Sequence, residues 1–83
     1  MTEFTIIGNY EGKNDRFCEF YIREGKNSYT VHVNKTSTLL TDLEQVNYGT
    51  RIKTTGIIMR DANDKDIFVS NKVTLILGEE ITR

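Results

Sequence analysis

The chain has 83 residues and contains no proline, no tryptophan, one cysteine and one histidine. A single thiol, Cys18, cannot close an internal disulfide, so the fold draws nothing from cross-links and the expected setting is a reducing cytoplasm. Without a second cysteine or histidine at ligand spacing, a zinc site is not expected. With His32 the only imidazole, a Ser/His/Asp triad would have to be assembled from ordinary residues. Paired carboxylates at metal spacing and a phosphate-cradling glycine loop are missing too, so neither an enzyme nor a cofactor is expected. No apolar run approaches the roughly 20 residues that span a bilayer, and no secretory leader is recognisable, which removes the membrane from the expected partners. Nor is either charge in excess: 11 Lys and Arg stand against 12 Asp and Glu, for a net charge of −1. That balance argues against strong nonspecific nucleic-acid binding and leaves any such binding to the distribution of the charges.

What is present is β-forming sequence. At 37% hydrophobic and 28% charged residues the composition is globular, and the length fits one domain over residues 1–83. Runs at 3–10, 17–24 and 28–34 are rich in β-branched and aromatic residues and read as strands. In the second, Cys18, Phe20 and Ile22 alternate with Phe17, Glu19, Tyr21 and Arg23; the uniformly apolar set is expected to face the core. In the third, Tyr29, Val31 and Val33 point inward, and Thr30, His32 and Asn34 outward. Residues 24–27 carry a hairpin turn signal, and residues 11–16 read as a loop. Leu39, Leu40, Leu43 and Val46 fall on one face of a short helix over about 38–46, capped by Ser37 or Thr38 and stopped by Asn47 and Gly49. Two more strand runs follow at about 50–59 and 66–77, the last with a break at Ser70–Asn71. Gly8 and Gly56 each mark an expected bulge or bend. The segment 61–66 is a polar loop; its aspartates lack the spacing and central glycine of a calcium loop. Residues 78–83 are expected to fray.

Three strands, a short helix and two strands is the order of a five-stranded Greek-key barrel. Two stretches carry a closer likeness. One is Thr5–Gly8 with Arg16–Phe17 and Phe20–Gly25; the other is Tyr48–Ile58 with Ile67–Leu75. Together they resemble the nucleic-acid-binding OB domains found as anticodon-binding modules of aminoacyl-tRNA synthetases and in replication protein A. The resemblance implies a mainly β, small OB-like barrel with its helix between strands three and four. An SH3-like barrel or a β-grasp would also accommodate five strands and one helix.

In OB domains the ligand lies over strands two and three, flanked by the loops between strands one and two and strands four and five. The resemblance therefore implies a single-stranded DNA or RNA partner, with stacking by Phe17 and Tyr21. Arg23, Lys13, Arg16, Lys53 and Arg60 would lie near the phosphates, with His32 on the same outward face as a solvated or stacking group. Glu19, in the middle of that face, opposes the reading. The same face also fits a protein–protein module or a homo-oligomer contact, with Phe17 and Tyr21 as anchors.

Overall fold

The computed structural model of the chain describes residues 2–76. Five strands, β1 (Phe4–Asn14), β2 (Glu19–Glu24), β3 (Asn27–Val33), β4 (Arg51–Arg60) and β5 (Asp66–Leu75), close into a barrel in the order β1-β2-β3-β5-β4. All neighbouring pairs are antiparallel except β3 and β5, which run parallel. Among the described residues one α-helix, α1 (Leu39–Asp42), lies between β3 and β4 and continues as a 3-10 turn over Leu43–Gln45. This is the expected five-stranded OB architecture. Leu77 and the tail 78–83, read from sequence as strand end and frayed segment, lie outside the described residues.

The core follows the strand alternation. Phe20, Ile22, Val31 and Ile52 are fully buried, and Tyr10, Val33, Leu43 and Phe68 nearly so. Leu39, Leu40 and Val46 pack against this cluster from the helical segment. A helix of four residues has no stability of its own, so burial of that apolar face is what orders it. Ser37, not Thr38, supplies the cap: its Oγ accepts the Leu39 N–H at 3.1 Å, and Thr38 makes no side-chain cap bond. Gly49 then turns the chain out with φ 92°.

Four local expectations are corrected. Residues 11–14 are strand, not loop: Gly12, at φ 99°, lets β1 bend where its register against β2 shifts between Tyr10 and Lys13, and pairing resumes at Lys13–Phe20 and Asn14–Glu19. Phe17 and Cys18 do not belong to β2. Asp15–Phe17 form a 3-10 turn that ends with Cys18 in the left-handed region at φ 53°. Cys18 is therefore half-buried at a turn instead of facing the core with Phe20 and Ile22. The break at Ser70–Asn71 is a bulge inside one continuous strand: Gly56 pairs with Ser70 and Thr55 with Lys72, leaving Asn71 as the extra residue. Gly8 is not at a bulge. It is buried where β1 meets β2, and a Cβ there would stand 2.5 Å from Ile22 Cγ2 and 2.6 Å from the Arg23 carbonyl oxygen.

Candidate nucleic-acid interface

Parallel pairing of β3 with β5 extends over only three residue pairs, Val31–Phe68, His32–Val69 and Val33–Ser70. On the outer face of this short seam lies an open groove of about 380 Å³. Its apolar side is made by Met59, Ile67 and Val69 of the β4–β5 ribbon. Ile57 and Val69, and Met59 and Ile67, are cross-strand partners, so they share the outer face while Phe68 and Ser70 turn inward. His32 lines the groove from β3, and Asn34 and Lys35 follow it at the strand end. Arg16, Phe17 and Cys18 line it from the 3-10 turn, and Arg60 from the end of β4.

Phe17, the aromatic ring of the groove apart from His32, is 61% exposed. The Arg16 guanidinium lies over its ring, 5.7 Å from the centroid, within cation–π range. The left-handed Cys18 turns the chain sharply enough to set Phe17 outside the barrel, with Asn14 Oδ1 accepting the Arg16 N–H at 3.1 Å to fix the turn.

Of the eight residues proposed from sequence, Phe17, Arg16, His32 and Arg60 come together in this groove; Tyr21, Arg23, Lys13 and Lys53 do not line it. Arg60 enters it already engaged, by Asp64 at 2.7 Å and Asp66 at 3.5 Å. The β4–β5 loop that carries these carboxylates is pinned by Asp61, whose Oδ1 accepts the Asn63 and Lys65 N–H groups. Those bonds, Lys65 foremost, hold the Asp61 carboxyl below its ordinary pKa.

The outer face of β2 is neutralised from within. Arg23 Nε donates to Glu11 Oε2 at 3.0 Å. Tyr21 Oη donates to Glu19 Oε2 at 2.6 Å, and Glu19 Oε1 stands 4.0 Å from His32 Nδ1. Lys13 is held by Asp15 at 2.6 Å and Glu44 at 3.5 Å, and its pKa is raised chiefly by the Asp15 hydrogen bond. Lys53 lies on another part of the wall, opposite Ile7 and Thr74.

The Tyr21–Glu19 bond has a measurable signature. It raises the Tyr21 pKa above the ordinary value of 10.0, because ionisation breaks the bond and sets a phenolate beside a carboxylate. A raised folded-state pKa means that the contribution to stability is complete below the unfolded value and is lost as pH rises through the folded one. An NMR titration of the tyrosine rings is expected to show Tyr21 ionising late and Glu19→Gln moving it back down. A Tyr21 titration unaffected by Glu19→Gln would remove the bond as the cause.

Sequence reasoning missed Lys35, Met59, Ile67 and Val69. The available signal was the pair of unbroken apolar runs Ile57-Ile58-Met59 and Ile67-Phe68-Val69. A strand apolar on both faces is either covered on both or carries a site on one.

Among the described residues no cluster of three or more metal-ligating side chains occurs, and no helix is long and apolar enough to cross a membrane.

No protein-family model matches the chain, and no curated protein matches it in sequence. Solved structures do match its fold. The mitochondrial single-stranded DNA-binding protein Rim1 from S. cerevisiae superposes with a TM-score of 0.67 at 15% identity, over 90% of this chain and 92% of that one. OBody NL8, in its complex with hen egg-white lysozyme, gives 0.72 at 11% identity, over 92% and 94%. Asparaginyl-tRNA synthetase from Pyrococcus horikoshii gives 0.69 at 12% identity, over 90% of this chain and 19% of that one. The likeness is one of fold: the chain is an OB barrel.

Proposed function

We propose that this barrel is a non-catalytic module that binds single-stranded nucleic acid in the groove over the β3–β5 seam. The observation that carries the reading is the composition of that groove. An exposed stacking ring, Phe17, stands beside the apolar side made by Met59, Ile67 and Val69, with Arg16, Lys35 and Arg60 at the margins. A single strand presents the two surfaces that this arrangement complements, unpaired base faces and a line of phosphates. A volume of about 380 Å³ takes a base with its sugar, at the lower end of ordinary ligand sites. Arg16 lies over one face of Phe17, and the residue is 61% exposed, so the ring is accessible to a base. Support also comes from the fold shared with Rim1, described as a single-stranded DNA-binding protein. The net charge of −1 sets the expected strength as moderate, with the attraction left to local groups of cations and not to the surface as a whole.

The test is fluorescence anisotropy of labelled single-stranded DNA and RNA oligomers at low and physiological salt. Binding is expected to weaken as salt rises, with a log–log slope of about −0.7 for each phosphate contacted. Phe17→Ala is expected to cost about 1–3 kcal/mol, or about 5- to 150-fold in affinity, as loss of one stacked base does. Its melting temperature should stay unchanged, because the ring is exposed. No binding at high protein concentration, or binding indifferent to salt, would overturn the reading.

A second reading has one specific observation in its favour. OBody NL8, of the same fold, is bound to a protein, lysozyme. In that reading Phe17 and Met59, exposed at 61% and 47%, anchor a protein partner or a second copy of the chain. Phe17→Ala with Met59→Ala would then abolish association seen by ultracentrifugation or pull-down, and oligonucleotides would not compete.

A further inference from the structure

Outside the groove, a second group of cations lies on the wall formed by β1, the first half of β4 and the last part of β5. Register sets Arg51 opposite Asn9, Lys53 opposite both Ile7 and Thr74, and Lys72 opposite Thr55, which in turn faces Thr5. Directly opposed residues share a face of the sheet, so these side chains form one outer surface. Lys53 and Lys72 are diagonal neighbours on it, about 7–8 Å apart at the backbone, and both are exposed. Every other position of the patch, apart from Arg51, is threonine, asparagine or Ile7. Among the described residues, two carboxylates touch its borders: Glu3, which accepts a hydrogen bond from Asn71 at 3.4 Å, and Glu24, which stands 4.0 Å from Arg51. Among the described residues, neither Lys53 nor Lys72 has an ion-pair partner.

The opposite direction around the barrel is different. From the groove, β2 presents Glu19, Tyr21 and Arg23, and beyond it Glu11 of β1, a surface closed on itself by Glu11–Arg23 and Glu19–Tyr21 contacts. A polyanion leaving the groove meets carboxylates on that side and unpaired ammonium groups on the other. The distance is short: Val69, in the groove, and Lys72 lie three residues apart on β5, about 10 Å of strand at about 3.3 Å per residue.

We infer that the β1–β4–β5 wall is a second phosphate-binding surface, over which a single strand continues after leaving the groove, with Lys53 and Lys72 as its contact cations. The inference rests on the nucleic-acid reading of the groove and adds to it a direction and a length. The patch carries no aromatic residue, so it holds the backbone without reading bases. Its contribution is counterion release alone and vanishes at high salt.

The experiment is a length series of labelled oligothymidylates, from about 4 to about 16 nucleotides, the range of site sizes for one OB fold. The full chain, Phe17→Ala and the double variant Lys53→Ala/Lys72→Ala are compared at several salt concentrations. Both lysines are exposed strand residues, and thermal melts check that the double variant folds. In the full chain, affinity is expected to rise with length after the groove is filled. The double variant is expected to match it on the shortest oligomer and to lose the gain on the longest. Its salt slope there should be shallower by about 1.4, two contacts at about 0.7 each on single strands. Phe17→Ala is expected to weaken every length. Equal affinities of the double variant and the full chain at all lengths would overturn the second surface and leave the groove reading standing. Equal loss at every length would also overturn it, by showing only a diffuse charge effect. Failure of the full chain to bind any oligomer would overturn both.

Discussion

Phe20→Ala is expected to remove about 3–5 kcal/mol of stability, the range for truncating a fully buried phenylalanine. The ring has no solvent exposure. It faces Tyr10 with centroids 6.5 Å apart at 47°, and its strand position pairs with Val31 on one side and Lys13 on the other. It therefore fills the barrel where β1, β2 and β3 converge, and rigid strands on three sides cannot collapse into the space it leaves. A domain of this length has a total stability of about 4–12 kcal/mol, at about 0.05–0.15 kcal/mol per residue. One substitution thus consumes about a quarter of the total at the least and all of it at the most. Urea unfolding should show a midpoint shifted far toward zero with the slope retained, and the melting temperature should fall by more than about 12 °C, at about 4–8 °C per kcal/mol for a domain of this size. Phe17→Ala is the matched control: same chemistry, exposed ring, and a change within about 0.5 kcal/mol. A midpoint for Phe20→Ala as high as that of the control would mean that the barrel does not close around Phe20.

The contrast between those two phenylalanines also marks what was legible in the sequence. Phe20 and Ile22, with Val31 and Val33 across the hairpin, alternate with polar residues at period two. A strand with one face buried must read that way, so the β2–β3 hairpin, its inward face and the Gly25 turn followed directly. The element order gave the barrel. Phe17 and Cys18 continue the same alternation by composition, yet a left-handed residue at Cys18 takes both out of the strand. Nothing in residue type announces φ 53° at a cysteine, because the cost is borne by the surrounding turn. Glu11–Asn14 carry the glycine and asparagine of a loop, and only pairing with β2 makes them strand.

The site was less legible than the fold for a related reason. Closure of β3 on β5 joins residues far apart in the chain, so His32 pairs with Val69, and Phe17 and Met59 line one groove, only in three dimensions. The placement of Phe17, Arg16, His32 and Arg60 near one another came from knowing which loops flank an OB groove. Local sequence does not say which cations are free. Arg23 is bound to a glutamate 12 residues away, and Lys13 reaches Glu44. Exposed pairs of this kind add little stability, but they decide where the surface potential is positive.

Gly56→Ala should disrupt the β4–β5 ribbon more than any exposed substitution. A Cβ at Gly56 would meet the Val69 carbonyl oxygen inside van der Waals contact and the Ser70 Cα at 2.8 Å. Both obstacles are backbone of the partner strand, so no rotamer change relieves them. The bulge already fixes that backbone: Thr54 Oγ1 and Ser70 Oγ share a buried hydrogen bond of 2.6 Å, and Ser70 Oγ also accepts the Lys72 N–H at 3.2 Å. To admit a methyl group, β5 must move outward or slip, which breaks the Thr54–Ser70 bond between the strands in a site closed to water. Overpacking costs about 1–3 kcal/mol, and each buried polar group left without its partner adds about 1–3 kcal/mol. Gly12→Ala is the informative comparison, since a Cβ there meets nothing within 4 Å and only the backbone angle opposes it. Hydrogen exchange should show protection lost at the Val69 and Lys72 amides in Gly56→Ala and kept in Gly12→Ala. Because Val69 lines the groove and Lys72 lies on the neighbouring wall, the same slip should weaken binding at every length, as Phe17→Ala does, and also remove the gain with length, as the double lysine variant does. Native protection at those two amides in Gly56→Ala would show that β5 accommodates the methyl group, and the close approach at Gly56 would then not set the ribbon's register.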